Sequence, residues 1–197
     1  MNDKTTVLII AVLLLVFLSR GKRRRSAGKM QPEKPKAKTP EKVTPDKPGG
    51  WLAYRERLAR KESSGKYDAR RPNSKYWGRY QLGPLARRVG GAQGVRWAQY
   101  QNDQALQDAA VKRWTARLYQ ELQAQKLARQ AVDAGTLHGE KVTWAFLVAM
   151  DHLTGRTATM KWLRTGQATK DANKVSNVEW ARGFAPFSLS ELKKGAA

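Results

Sequence analysis

The chain has no cysteine among its 197 residues. That excludes disulfides, thiolate zinc sites and cysteine nucleophiles, and it fits a protein that works outside the cytoplasm without thiol chemistry. Histidine is nearly as scarce. His138 and His152 are the only two, too few to build a histidine-based metal centre, and no metal or cofactor is expected. Acidic residues are outnumbered, 16 against 38 Lys and Arg, for a formal charge of +22. Such a balance calls for an anionic partner: nucleic acid, an anionic membrane surface or an acidic polymer. The excess is not confined to one tail, since residues 51–197 hold 26 basic and 12 acidic side chains, a net +14. Strand-type alternation is weak throughout, and no internal repeat is present.

What is present divides into three zones. The first, residues 1–19, contains the unbroken apolar run Val7–Leu18, which reaches 15 residues with Thr5, Thr6 and Ser19. That is short beside the roughly 20 residues a spanning helix needs. Only Lys4 precedes the run, whereas Arg20, Lys22, Arg23, Arg24 and Arg25 follow it, with no small-x-small cleavage site between. The pattern predicts an uncleaved single-span anchor whose basic side chains snorkel to the interface. By the positive-inside rule the rest of the chain lies on the cytoplasmic side. The second zone, residues 20–50, ends in PEKPKAKTPEKVTPDKPGG. It cannot bury a core and reads as a solvated, disordered basic linker. Extended at about 3.1 Å per residue, some 30 residues reach roughly 90 Å. Beside nucleic acid it offers non-specific phosphate contacts.

The third zone, residues 51–197, is long enough for a core of its own and reads as mainly α. Trp51–Glu62 carries Leu52, Tyr54, Leu58 and Ala59. Pro84–Val89 starts on a helix-favoured proline and stops at Gly90-Gly91. Asn102–Ala134 places Leu106, Ala110, Trp114, Leu118 and Leu122 at helical spacing. Thr143–Leu153 is apolar nearly all round, as a central buried helix would be. Thr157–Leu163 is shorter and ends before Gly166. At most a small β-hairpin fits, over Tyr76–Leu82.

One carboxylate stands out. Tyr54, Leu58 and Glu62 are four apart and share a helix face, so Glu62 lies in line with the buried stripe. Ser63-Ser64-Gly65 then ends the helix. Apolar surroundings and the negative end of the helix dipole both favour a protonated carboxyl group there, as general acid catalysis requires. The plainer alternative is a solvated side chain or a pair with Lys66. The polar loop that follows holds Tyr67, Tyr76 and Trp77, and leads into Gly78-Arg79-Tyr80-Gln81-Leu82-Gly83.

With Glu62-Ser63, a 14-residue gap, Gly78-x-x-Gln81-Leu82 and a helix at Pro84, residues 55–185 resemble the lytic transglycosylases of lysozyme-like fold, phage virion-associated members among them. Ala149-Met150-Asp151-His152-Leu153-Thr154-Gly155 and Asp171-Ala172-Asn173 look like later pieces of the same pattern. The common Ala-Tyr-Asn-Ala-Gly form is absent, and Lys174 stands where many phage members have Gly. The resemblance implies a lysozyme-like helical domain that cleaves the MurNAc–GlcNAc bond of peptidoglycan glycan strands. Glu62 would protonate the glycosidic oxygen, then act as base while the sugar's own 6-hydroxyl closes a 1,6-anhydro ring. One carboxylate suffices, because no water is activated. Asp68, among Lys66, Arg70 and Arg71, reads as a local loop contact. Ser63 and Gln81 would hold Glu62 and the substrate. Tyr80, Tyr67 and Trp77 would stack on sugar rings or serve as core. His152 approaches from the central helix or is a satisfied buried histidine.

Two other functions compete: a membrane-tethered basic structural or nucleic-acid-binding protein, and a hydrolytic lysozyme. The first accounts for the charge but not for Glu-Ser…Gly-x-x-Gln. A domain on the cytoplasmic side reaches the wall if it is packaged with a virion membrane and acts during phage genome entry. The rival placement is a bacterial inner-membrane enzyme facing the periplasm. Oligomeric state is not legible.

Overall fold

The computed structural model describes residues 49–194. The expected anchor and most of the linker lie outside these residues, and among the described residues no helix is long and apolar enough to cross a membrane. Among the described residues eight α-helices follow one another: α1 Trp51–Ser63, α2 Pro84–Val89, α3 Trp97–Tyr100, α4 Gln104–Gln123, α5 Lys126–Ala134, α6 Trp144–Thr154, α7 Arg156–Thr165 and α8 Asn177–Arg182. A 3₁₀ turn, Ser190–Lys194, comes last, and one two-stranded sheet, β1 Thr136–Leu137 and β2 Glu140–Lys141, sits between α5 and α6. The domain is mainly α, as its sequence predicts.

Helix α6 is the hub. Every residue from Ala145 to Asp151 is buried, and the helix packs on α4, α7 and α8. Its ends are set by specific groups. The Thr143 hydroxyl accepts from the Phe146 N–H at 3.2 Å and itself donates to the Ala185 carbonyl at 3.1 Å. At the other end Gly155, at φ +82, closes α6 and opens α7. That backbone conformation carries a Cβ penalty, so glycine suits the corner.

Helix α1 stops on a left-handed residue. Ser64 has φ +56, and its N–H bonds the Arg60 carbonyl at 3.0 Å, a common helix ending. The stripe Trp51, Tyr54, Leu58 and Ala59 is buried; Tyr54 packs on Phe184 with ring centroids 4.9 Å apart.

Two expectations need correction. The single run Asn102–Ala134 is two helices, α4 and α5, because Gln125 adopts an extended backbone (φ −84, ψ +117). The hairpin is not at Tyr76–Leu82, where one isolated bridge joins Trp77 to Leu82. It is at Thr136–Lys141, paired Thr136 with Lys141 and Leu137 with Glu140. Its two turn residues, His138 and Gly139, both have positive φ, 50° and 79°, the geometry that matches the twist of a two-residue hairpin.

Candidate functional site

A cleft of about 430 Å³ opens where four parts of the chain converge. Glu62 comes from the last turn of α1; His152, Leu153 and Thr154 from the end of α6. Arg71, Ser74 and Tyr76 come from the loop after α1, with Gln81 from the bridged turn, and Thr169 to Asn173 form the opposite wall.

Glu62 and His152 meet directly. Glu62 Oε1 lies 3.4 Å from His152 Nε2, with side chains 17% and 8% exposed. The apolar face of α1 continues beneath them. Burial pushes the Tyr54 hydroxyl far above its ordinary value, and the charges of Asp151 and Glu62 add to the effect. Asp151 is buried too. Burial raises its carboxyl group above the usual range, and the Arg156 guanidinium, with Nε 2.7 Å from Oδ2, pulls it back in part.

The position of Gln81 is built by a chain of backbone and buried contacts. Trp77 and Leu82 exchange two hydrogen bonds, of 3.3 and 3.0 Å, which closes the turn between them. Gly78 has φ +73, and a Cβ there would stand 2.2 Å from Gln107 Oε1, so no larger residue fits without a shift. Gln107 is fully buried. Its Oε1 accepts from the Arg79 N–H at 2.8 Å, and its Nε2 donates to the Tyr100 carbonyl at 2.7 Å and the Tyr67 carbonyl at 3.1 Å. Gln81 itself is strained into positive φ, +44. Its Nε2 donates to the Gly78 and Ala69 carbonyls at 2.8 and 3.0 Å, which leaves the amide oxygen as the group for a ligand donor.

Ser63 fastens this turn to α1. Its hydroxyl lies 2.7 Å from the Arg79 carbonyl and 3.2 Å from that of Ala59, and donates to the nearer. It does not line the cleft; it sets where Glu62 stands relative to Gln81.

Of the two roles open to Tyr80, sugar stacking and core, the structure gives it the core. It is 1% exposed, and its hydroxyl donates to Asp108 Oδ1 at 2.6 Å, so no ring face is open to a sugar. Burial first, and that bond second, raise its hydroxyl well above the usual range. Tyr67 joins the same cluster, donating to Asp108 at 3.0 Å and accepting from Arg79 at 2.7 Å. Arg55 completes it, 3.0 Å from Asp108. Trp77 lies elsewhere, edge-on to Trp97 at 5.7 Å with the Arg87 guanidinium 3.7 Å over its ring. Neither Tyr67 nor Trp77 lines the Glu62 cleft.

The aromatic ring that does line it is Tyr76, 47% exposed. Sequence reasoning passed over it; its place just before the Trp77–Leu82 bridge, rather than inside it, is the local signal. The far wall was visible only as Asp-x-Asn. Asp171 Oδ1 accepts from the N–H groups of Asn173 (2.9 Å) and Val175 (2.8 Å), which curls the segment into a tight loop. Buried Asn177, for which the sequence carried no signal, holds it in place. Its Oδ1 accepts from the Thr169 N–H at 3.0 Å, and its Nδ2 donates to the Thr154 hydroxyl at 3.3 Å.

The described residues contain no cluster of three or more His, Asp, Glu or Cys that could hold a metal. Chemically the cleft offers a partly screened carboxyl group against an imidazole, a second carboxyl group at Asp171, an amide oxygen, an open phenol ring and two cations, Arg71 and Lys170. Comparison of the chain with family models, with curated proteins and with solved structures finds no match.

Proposed function

We propose that the chain is a membrane-anchored peptidoglycan lytic transglycosylase with a lysozyme-like catalytic domain, and that Glu62 is its acid–base group. The observation that carries this reading is the cleft itself. A single glutamate at a helix end, in contact with His152 at 3.4 Å, shares one groove with Gln81 and an exposed tyrosine.

In this mechanism Glu62 donates its proton to the glycosidic oxygen as the C1–O bond of the muramoyl residue breaks. The C6 hydroxyl of the same sugar then attacks C1 and gives its proton to the Glu62 carboxylate. The 1,6-anhydro ring forms, the next sugar leaves as an alcohol, and the enzyme returns to its starting protonation state. No water enters the balance, so one carboxyl group serves for both steps. His152 orients Glu62. Tyr76 is the platform for a sugar ring, and the amide oxygen of Gln81 accepts from a sugar hydroxyl or acetamido N–H.

The test is digestion of purified peptidoglycan by the full chain, wild type beside Glu62→Gln, read by mass spectrometry. Anhydro-muropeptides formed by the wild type and lost in the variant are expected. One observation favours a second reading: Asp171 lines the same cleft and supplies the second carboxyl group a hydrolase uses. Reducing-end products would establish that lysozyme-type reaction instead. Equal absence of cleavage, with salt-sensitive DNA retention, would favour the nucleic-acid-binding alternative.

For placement we propose a single-span membrane protein of a phage particle that opens the wall during genome entry. Protease digestion of the domain in whole spheroplasts, without lysis, would refute the cytoplasmic-side orientation this requires and favour a periplasm-facing enzyme.

A further inference from the structure

Beside the Glu62 cleft lies a second groove, of about 440 Å³, lined by Asp68, Arg70, Arg71, Asn73, Trp97 and Gln101 among others. Arg71 lines both, so the two depressions border on its side chain. The Arg70 guanidinium stands over two indoles, 5.2 Å from the centroid of Trp77 and 5.5 Å from that of Trp97. No described carboxylate pairs with Arg70 or Arg71. Two guanidiniums and one acid, Asp68, line this groove.

Arginines ordinarily find carboxylates, and one braced on aromatic faces is held ready for a ligand with little conformational freedom left to lose. The planar fork suits a carboxylate in two-point contact. We propose that this groove is a secondary site for the peptide carried by the glycan: a chain seated at Glu62 sends its peptide branch past Arg71, and a peptide carboxylate docks on Arg70 above Trp97. Asn73 and Gln101 supply neutral hydrogen-bonding groups along the same path. The inference rests on the transglycosylase reading and makes the enzyme selective for peptide-bearing strands over bare ones.

The experiment compares kcat/KM of the full chain on intact sacculi and on glycan strands stripped of peptide by an amidase. It uses wild type, Arg70→Gln and Arg70→Lys. Both substrates see the same enzyme preparation, so any loss of folded protein cancels from the ratio. The wild type is expected to prefer peptide-bearing strands, and Arg70→Gln to lower that preference by roughly three- to tenfold, as for a charged contact that is partly solvated. Arg70→Lys, which keeps the charge but loses the fork, is expected to fall between. An unchanged ratio in Arg70→Gln, or a wild type without preference, overturns the peptide site while leaving the transglycosylase reading intact. A variant whose ratio is unchanged but whose retention on DNA weakens assigns the patch to phosphate and likewise overturns it. Cleavage of neither substrate by the wild type overturns both.

Discussion

Replacing Gln107 by leucine would remove a buried side chain that, together with Ser63, holds the Gln81 turn against the rest of the domain. Leucine is close in volume, so the change creates little cavity. Its cost lies in the backbone groups it served: the Arg79 N–H and the Tyr67 carbonyl lose their partner, while the Tyr100 carbonyl keeps the Asp103 N–H at 3.3 Å. Gln107 is fully buried, and water has no easy route to replace it. A buried polar group left without a partner costs about 1–3 kcal/mol. The Tyr67 carbonyl sits nearer the low end, because a carbonyl tolerates under-satisfaction better than an N–H. The sum is about 2–4 kcal/mol, a large part of the 5–15 kcal/mol typical of a domain. For a chain of this size it corresponds to a fall in Tm of roughly 5–15 °C. Denaturant unfolding followed by tryptophan fluorescence, with seven tryptophans as probes, measures it directly. Because the turn carries Gln81 toward the cleft, glycan cleavage should fall further than the folded fraction does. A Gln107→Leu protein within about 0.5 kcal/mol of wild type, the range of ordinary surface changes, would refute the claim that this amide organises the turn.

The remaining predictions are shorter. Glu62→Gln should lower glycan cleavage by about 10²–10⁴-fold with the fold intact, checked by anhydro-product release and circular dichroism. Gly78→Ala should destabilise by more than about 1 kcal/mol, since the new methyl group meets Gln107 Oε1 at 2.2 Å and the backbone has φ +73; a chemical denaturation midpoint reads it. Asn177→Ala should cost about 1–3 kcal/mol and weaken substrate binding more than turnover, because it releases the Thr169–Asn173 wall; a KM against kcat comparison tests this. The Arg182 hydrogen bond holds the Glu140 carboxyl group below its ordinary value of 4.5. Its contribution is therefore fully present above that value and is lost as pH falls through the lower, folded-state value. Arg182→Gln should flatten this acid limb, which a series of unfolding curves between pH 5 and pH 2 would reveal as a difference from wild type.

How much of this was legible beforehand depended on range. Local chemistry was readable. Pro84 and Gly90-Gly91 bracket α2, the all-apolar stretch after Thr143 is the central helix, and the four-residue spacing of Tyr54, Leu58 and Glu62 places the glutamate at the end of a buried stripe. The break between α4 and α5 was not, because Ala124 and Gln125 are good helix formers and tertiary packing overrides them. The hairpin at His138-Gly139 escaped because His-Gly is not one of the usual two-residue turn pairs. Aromatic roles were the least readable. Tyr67, Tyr76, Trp77 and Tyr80 share one short segment, yet Tyr80 is core, Tyr67 serves Asp108, Trp77 carries arginines and Tyr76 faces the cleft. Nothing in a 14-residue span tells these apart without α4, which brings Gln107 and Asp108 from the far side. The approach of His152 to Glu62 joins residues 90 positions apart and depends on how α1 meets α6.

The hydrogen bond from the Gly78 N–H to the Ala69 carbonyl, 2.9 Å long, makes a neck. Everything between these residues, including Arg70, Arg71, Ser74 and Tyr76, bulges from a closed ring, while Glu62 and Gln81 are fixed on the domain side of it by Ser63 and Gln107. Lengthening a loop beyond such a neck costs only about 0.6 kcal/mol for each doubling. The rim that chooses what enters the groove can therefore be lengthened, shortened or exchanged while the acid and its neighbours stay where they are. On the proposed function, chemistry and selectivity are separate modules here, and a graft of residues 70–77 from a glycan-cutting domain is the natural way to retarget this one.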